Sequence, residues 1–179
     1  MNKIFYHRSD NILGEGQTLY SLPLNENQKF FCEEIGEYGF RAINMASTHC
    51  IEKLLSEKQI EIANIFSYCW ELIFEWVRQK EYPNKVSRLS CLFAYSCDKD
   101  MEAWENCAKK GNWNLPENLY EVTSDESTRV DASWLDIGST DWGIIVGRAR
   151  KYWSGTINII NPLPEVLLKL PVTILRKIK

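Results

Sequence analysis

Ile157-Asn-Ile-Ile-Asn-Pro-Leu-Pro-Glu-Val-Leu-Leu-Lys-Leu-Pro-Val-Thr-Ile174 is the stretch around which the rest of the chain is organised. A polar break over 161–164 delivers one carboxylate, Glu165, to the head of an apolar run. Val166, Leu167, Leu168, Val172 and Ile174 suit paired or buried strands. An acid in that place is either a solvated strand-end side chain or a carboxylate held on rigid backbone over a cleft. In the second case it can orient or deprotonate a nucleophile.

Working back from that stretch, 141–152 reads as a short helix ending at Trp153-Ser-Gly155, and 131–141 as irregular. Leu119-Tyr-Glu-Val-Thr-Ser124 alternates like a strand. The clearest internal strand is 86–95, after which Asp98 is expected to cap a helix over 99–110. Met101, Trp104, Cys107 and Ala108 form the apolar face of that helix, and Gly111-Asn112 ends it. Between 47 and 80 the period turns helical, with Ile60, Ala63, Phe66, Trp70, Ile73, Phe74 and Val77 at steps of three and four. Glu71, Glu75 and Arg78 read as charge pairs on its solvated face, and Tyr82-Pro-Asn84 stops it. The segment 22–39 has no clean period and reads as a loop or small insertion. Near the start, 3–6 and 17–20 are short strand-like pieces around a turn with two glycines.

This order predicts an α+β fold with a mainly antiparallel or mixed sheet, one domain over 1–179 with a helical insertion around 47–80. No Gly-x-Gly-x-x-Gly opens a helix and no Gly-Lys-Ser/Thr phosphate loop is present, which argues against Rossmann and P-loop nucleotide sites.

Apolar content of 45% and charged content of 25% are globular values. The net charge of −3 is unevenly spread. From Arg148 onward there are seven basic residues and one acid, Glu165, whereas the preceding part holds 14 basic and 23 acidic residues. A basic segment around one carboxylate suits either a phosphate-bearing ligand or a solvated tail. Six cysteines without a close Cys-x-x-Cys pair point to reduced thiols in a cytoplasmic protein. With only His7 and His49, no metal site is expected. The sequence has no 18-residue apolar run and no signal segment, so no membrane association is expected.

Phe5-Tyr-His-Arg-Ser-Asp-Asn-Ile-Leu-Gly-Glu-Gly-Gln-Thr-Leu19 resembles the opening strand of ADP-ribosyltransferases, in particular the small rifamycin-modifying transferases. Arg88-Leu-Ser-Cys-Leu-Phe-Ala-Tyr-Ser96 with the following Trp104 resembles the family's next landmark. Leu119-Tyr-Glu-Val122 is similar to a Tyr-Glu-Val strand of the rifamycin enzymes, and Pro164-Glu-Val-Leu-Leu168 to the last landmark. Most of the chain also resembles a bacterial and phage family that runs from a Tyr-His start to a closing Glu-Val-Leu.

The resemblance implies a split, mainly antiparallel sheet with flanking helices, NAD as co-substrate and transfer of ADP-ribose to a protein, nucleic acid or small molecule. It implies that His7 holds a ribose hydroxyl and that Glu165 stabilises the oxocarbenium-like transition state. Arg8 and Arg88 become candidates for the pyrophosphate. Leu92 stands where poly-ADP-ribosyl-type members carry a tyrosine, so Phe93, Tyr95 or Trp104 would have to stack the nicotinamide. Glu121 is a second carboxylate in a setting that reads as structural. The alternatives are an NAD glycohydrolase toxin, an RNA 2′-phosphotransferase, or a non-catalytic phage or mobile-element binding protein that keeps the fold.

Overall fold

The computed structural model describes residues 3–20, 63–135 and 141–179, and for 63–69 the backbone alone. The expectations for 22–39 and for the helical pattern over 47–62 fall outside the described residues. The described elements are β1 (Ile4–Ser9), β2 (Thr18–Leu19), α1 (Ala63–Glu81), β3 (Cys91–Ala94), α2 (Asp98–Gly111), β4 (Asn118–Thr123), β5 (Ser127–Asp131), α3 (Trp142–Ser154), β6 (Pro164–Lys169) and β7 (Val172–Lys177). This is an α+β fold in which every strand pair is antiparallel.

The strands form two sheets, β1-β4-β7-β2 and β3-β6-β5. The sheets meet at one antiparallel bridge between Tyr6 and Tyr95. The Tyr6 N–H donates to the Tyr95 carbonyl at 2.9 Å, and the Tyr95 N–H to the Tyr6 carbonyl at 2.7 Å.

β6 is the central strand of its sheet, which explains why its apolar run does not alternate. Pro164 to Leu168 are all buried, because both faces of the strand are covered. Leu167 enters a core with Ile73, Phe74 and Val77 of α1 and Ala149, Tyr152 and Trp153 of α3. Val166 and Leu168 enter a second core with Phe5, Tyr120, Val122, Val172 and Ile174. Side chains two apart share a face, so Glu165 lies with Leu167 on the side of the two helices. A solvated strand end is thereby excluded: Glu165 is 5% exposed.

Both ends of α3 are capped. The Asp141 carboxylate accepts from the Ile144 N–H at 3.0 Å. Gly155 takes the left-handed conformation at φ 76° and donates back to the carbonyl oxygens of Lys151 and Tyr152. The start of α2 differs from expectation. Cys97 occupies the cap position and Asp98 is already helical. The carboxylate that reaches back is Asp100, which accepts from the Ser96 N–H at 3.1 Å and also binds Arg129 through both oxygens at 2.7 Å. A carboxylate at the third helical position can satisfy an unpaired N–H before the helix, as in a capping box.

One further expectation is corrected, and one strand was not anticipated. Glu75 and Arg78 do not lie on a solvated face. Glu75 is 3% exposed and binds Arg78, Gln79 and Ser87, because 86–90 folds across that side of α1. The stretch 127–131, which has too few apolar residues to stand out, is an edge strand paired with β6. Its Asp131 is fully buried and accepts from the backbone N–H groups of Ser133, Asn158 and Leu163 at 2.8–2.9 Å. That carboxylate ties down the loop leading into β6.

Candidate active site

A cleft of about 410 Å³ opens beside the junction of the two sheets. Its walls include all seven residues singled out in the sequence: His7, Arg8, Arg88, Phe93, Tyr95, Trp104 and Glu165. They come from five elements spread over nearly the whole chain. β1 supplies His7 and Arg8; a 3₁₀ turn over Arg88–Ser90 supplies Arg88; β3 and its end supply Phe93 and Tyr95; α2 supplies Trp104; β6 supplies Glu165.

His7 follows the Tyr6 bridge and turns its Nδ1 to the Phe93 carbonyl at 2.8 Å. A carbonyl only accepts, so Nδ1 carries the proton. In the neutral ring, Nε2 is then left as an acceptor. Burial lowers the His7 pKa, against a smaller rise from the Phe93 carbonyl, so the neutral form is favoured.

Glu165 is held on one oxygen. Tyr152 donates its hydroxyl to Oε1 at 2.7 Å, and the Arg88 Nη1 approaches the same atom at 3.4 Å, near the long limit of a hydrogen bond. Oε2 has no protein hydrogen bond among the described residues. It is also not one of their sealed unpartnered atoms, which are Arg8 Nε, Trp70 Nε1 and Ser133 Oγ. Oε2 is thus the carboxylate oxygen available to a ligand in the cleft.

Arg88 is shared. Its Nε donates to Glu71 of α1 at 2.8 Å, and its Nη1 donates to the Tyr152 hydroxyl at 3.1 Å. The guanidinium lies 5.4 Å from the centre of the Phe93 ring, within cation–π range. Arg8 donates to Glu105 at 2.5 Å and to the Pro116 carbonyl at 3.2 Å. Trp104 packs its ring at 6.3 Å from Tyr95 and donates its indole N–H to the Pro164 carbonyl at 2.9 Å.

The chain matches, over residues 5–179, the family described as "Protein of unknown function (DUF2441)". It belongs to that family. A comparison with curated proteins finds no match. The matched span of the DUF2441 chain takes in every residue that lines the cleft.

The electrostatics of this DUF2441 cleft centre on four groups. Burial raises the Glu165 pKa, while Arg88 and the Tyr152 hydroxyl pull it down and Glu71 and Asp131 add to the rise. Burial also raises the Tyr152 phenol well above its ordinary value, which keeps it a donor. Burial works against the charge on Arg88, but Glu71, Tyr152 and Glu165 together more than offset it. Burial pushes the Tyr95 phenol up to about 12.

Tyr152, one of these four, and Glu71, the partner of Arg88, were not singled out from the sequence as site residues. Each sits on a helix whose pattern reads as core or surface. Only the crossing of α1 and α3 over β6 brings them to Glu165. Glu121 pairs with Arg176 at 2.7 Å in the other sheet, in keeping with its structural reading. The seven basic residues of the C-terminal segment do not line the cleft. Arg150, Lys169 and Arg176 pair with Glu81, Glu126 and Glu121, and Lys151 sits over the Trp134 ring. Lys179 lines a bay of about 210 Å³ that shares Arg8 and Leu115 with the cleft.

Proposed function

We propose that the cleft binds NAD and cleaves its nicotinamide–ribose bond, passing ADP-ribose to an acceptor. The observation that carries this reading is the convergence of His7 and Glu165. They come from different sheets and opposite ends of the chain, yet line one cleft with Phe93, Tyr95 and Trp104. The split of the antiparallel sheets at this point agrees with the resemblance to ADP-ribosyltransferases.

The chemistry suits the residues present. The bond between nicotinamide nitrogen and ribose breaks with its electron pair going to nicotinamide, which leaves as a neutral molecule. Positive charge grows on the ribose carbon and its ring oxygen. An ionised Glu165, buried and positioned before the reaction, stabilises that charge. Oε2 accepts from a ribose hydroxyl beside the reacting carbon. His7 Nε2 accepts from a hydroxyl of the other ribose. An aromatic face holds the departing ring. The acceptor's lone pair forms the new bond, and its proton passes to Glu165 or to water.

Pyrophosphate falls to Arg8 more readily than to Arg88. Glu105, half in solvent, is the only carboxylate bound to Arg8 among the described residues, and it can give way. Arg88 is already held by Glu71, Tyr152 and Glu165.

A second reading, a binding protein without turnover, draws on one observation: the Arg88 guanidinium lies over the Phe93 ring and competes for that stacking face. Incubation of the protein with NAD labelled on the adenosine side, with and without cell lysate, separates the readings. Nicotinamide release with label on a lysate component supports transfer. Release with free ADP-ribose alone supports hydrolysis. NAD bound without release supports the binder, and no binding removes NAD altogether.

A further inference from the structure

We propose that Glu71, Arg88 and Tyr152 form a positioning relay that fixes Oε1 of Glu165 and sets the carboxyl's charge, leaving Oε2 as the working oxygen. This rests on the NAD reading for its kinetic consequences, though not for its chemistry.

Glu71 is on α1, Arg88 on the turn before β3 and Tyr152 on α3. None of these elements neighbours β6 in its sheet, yet all three side chains reach the one buried carboxylate or its partner. Tyr152 donates to Glu165 and accepts from Arg88, so the hydroxyl is used in both directions. A hydroxyl that accepts from a cation becomes a better donor. The guanidinium divides its charge between two carboxylates. It binds Glu71 at 2.8 and 3.1 Å but Glu165 only at 3.4 Å. Glu71 is thus the competitor that keeps Arg88 from neutralising Glu165 in a close pair. Such a pair would hold Glu165 as a spectator ion.

Among the described residues, the remaining groups facing Glu165 are few. Asp131 at the end of β5 and Tyr95 after β3 interact with it at longer range, and the Cys91 thiol of β3, pushed up by burial, stays neutral. Removing Tyr152's hydroxyl takes away a bond to the ionised form. Removing Glu71's charge takes away a repulsion and frees Arg88. The two changes therefore move Glu165 in opposite directions.

The test uses Tyr152→Phe and Glu71→Gln, both close in shape to the native side chains. In the free protein with ¹³C-labelled glutamate, the Glu165 carboxyl titration is expected to move to higher pH in Tyr152→Phe and to lower pH in Glu71→Gln. In turnover, the acid limb of kcat is expected to move the same ways. Tyr152→Phe should also lower kcat about tenfold with KM within about twofold, the pattern of a contact felt in the transition state. Movement of both titrations in one direction, or no movement, overturns the relay. A wild type without NAD turnover removes the NAD reading alone, because the carboxyl titration still decides the relay. Should Tyr152→Phe fail to fold, Glu71→Gln carries the test by the sign of its shift.

Discussion

The Trp104 indole N–H donates to the carbonyl of Pro164 at 2.9 Å, so α2 is fastened to the residue immediately before Glu165. The same ring lies beside Tyr95 and edge-on to Trp113, and it forms one wall of the cleft. One side chain thus sets both the wall and the start of β6. Trp104→Phe keeps a ring but leaves the Pro164 carbonyl without this donor. Loss of one such bond costs about 1–2 kcal/mol. Urea unfolding should show that loss, and nicotinamide release should fall further than the stability change explains. Full activity in Trp104→Phe would mean that the bond does not place Glu165.

Asp131 does the same work from the other side. It holds the N–H groups of Asn158 and Leu163, which bracket the exposed Ile159 and Ile160. Asp131→Ala strands those donors and is expected to cost roughly 2–4 kcal/mol, the scale for breaking a buried hydrogen-bond network. Amide exchange at Asn158 and Leu163 should rise well before exchange in β4. Uniform acceleration across the chain would instead show global destabilisation without a local clamp.

Arg8 and Glu105 give a prediction in the opposite direction. If Arg8 meets the NAD pyrophosphate, Glu105 competes with it. Glu105→Gln should lower KM for NAD about threefold, since an ion pair whose carboxylate is 42% exposed is worth only about 1 kcal/mol. Arg8→Ala should raise KM by more than tenfold, the cost of losing a charged hydrogen bond. Unchanged KM in both variants would place the pyrophosphate elsewhere.

His7 carries a pH signature. Its folded pKa lies below the ordinary 6.5 because burial disfavours the charged ring. The unfolded chain therefore binds the proton first as pH falls. Stability is lost from about 6.5 downward until the folded pKa is passed. His7→Gln should show a flatter dependence of unfolding free energy on pH across that window. Nitrogen NMR should find the proton on Nδ1 and none on Nε2 at neutral pH. A proton on Nε2 would remove the acceptor assigned to ribose.

Much of the candidate site was legible in the sequence because the resemblance to ADP-ribosyltransferases marks it. His7, Phe93, Tyr95, Trp104 and Glu165 lie in the stretches that carry that resemblance, and β1, β3 with its end, α2 and β6 bring them to one cleft. Tyr152 was hidden because a tyrosine on the apolar face of a helix looks like core, and it is core except for its hydroxyl. Glu71 was hidden because its partner, Arg88, is distant in sequence and reaches it only after the chain folds back across α1. β5 was missed because an edge strand with Thr128 and Val130 as its inward residues has little apolar alternation to detect. Buried ion pairs such as Glu75–Arg78 share their spacing with solvated helix pairs, so spacing alone places them on the wrong side.

The central claim is that Glu165, through Oε2, stabilises the charge that develops as nicotinamide leaves NAD. Glu165→Gln keeps the size of the side chain and one acceptor oxygen but removes its charge. Nicotinamide release by wild type and Glu165→Gln, measured together with NAD binding, is the most direct test. The account predicts a fall in kcat on the order of a hundredfold or more, the scale for losing a preorganised transition-state contact, with NAD binding little changed. Release by Glu165→Gln within a few-fold of wild type would contradict it.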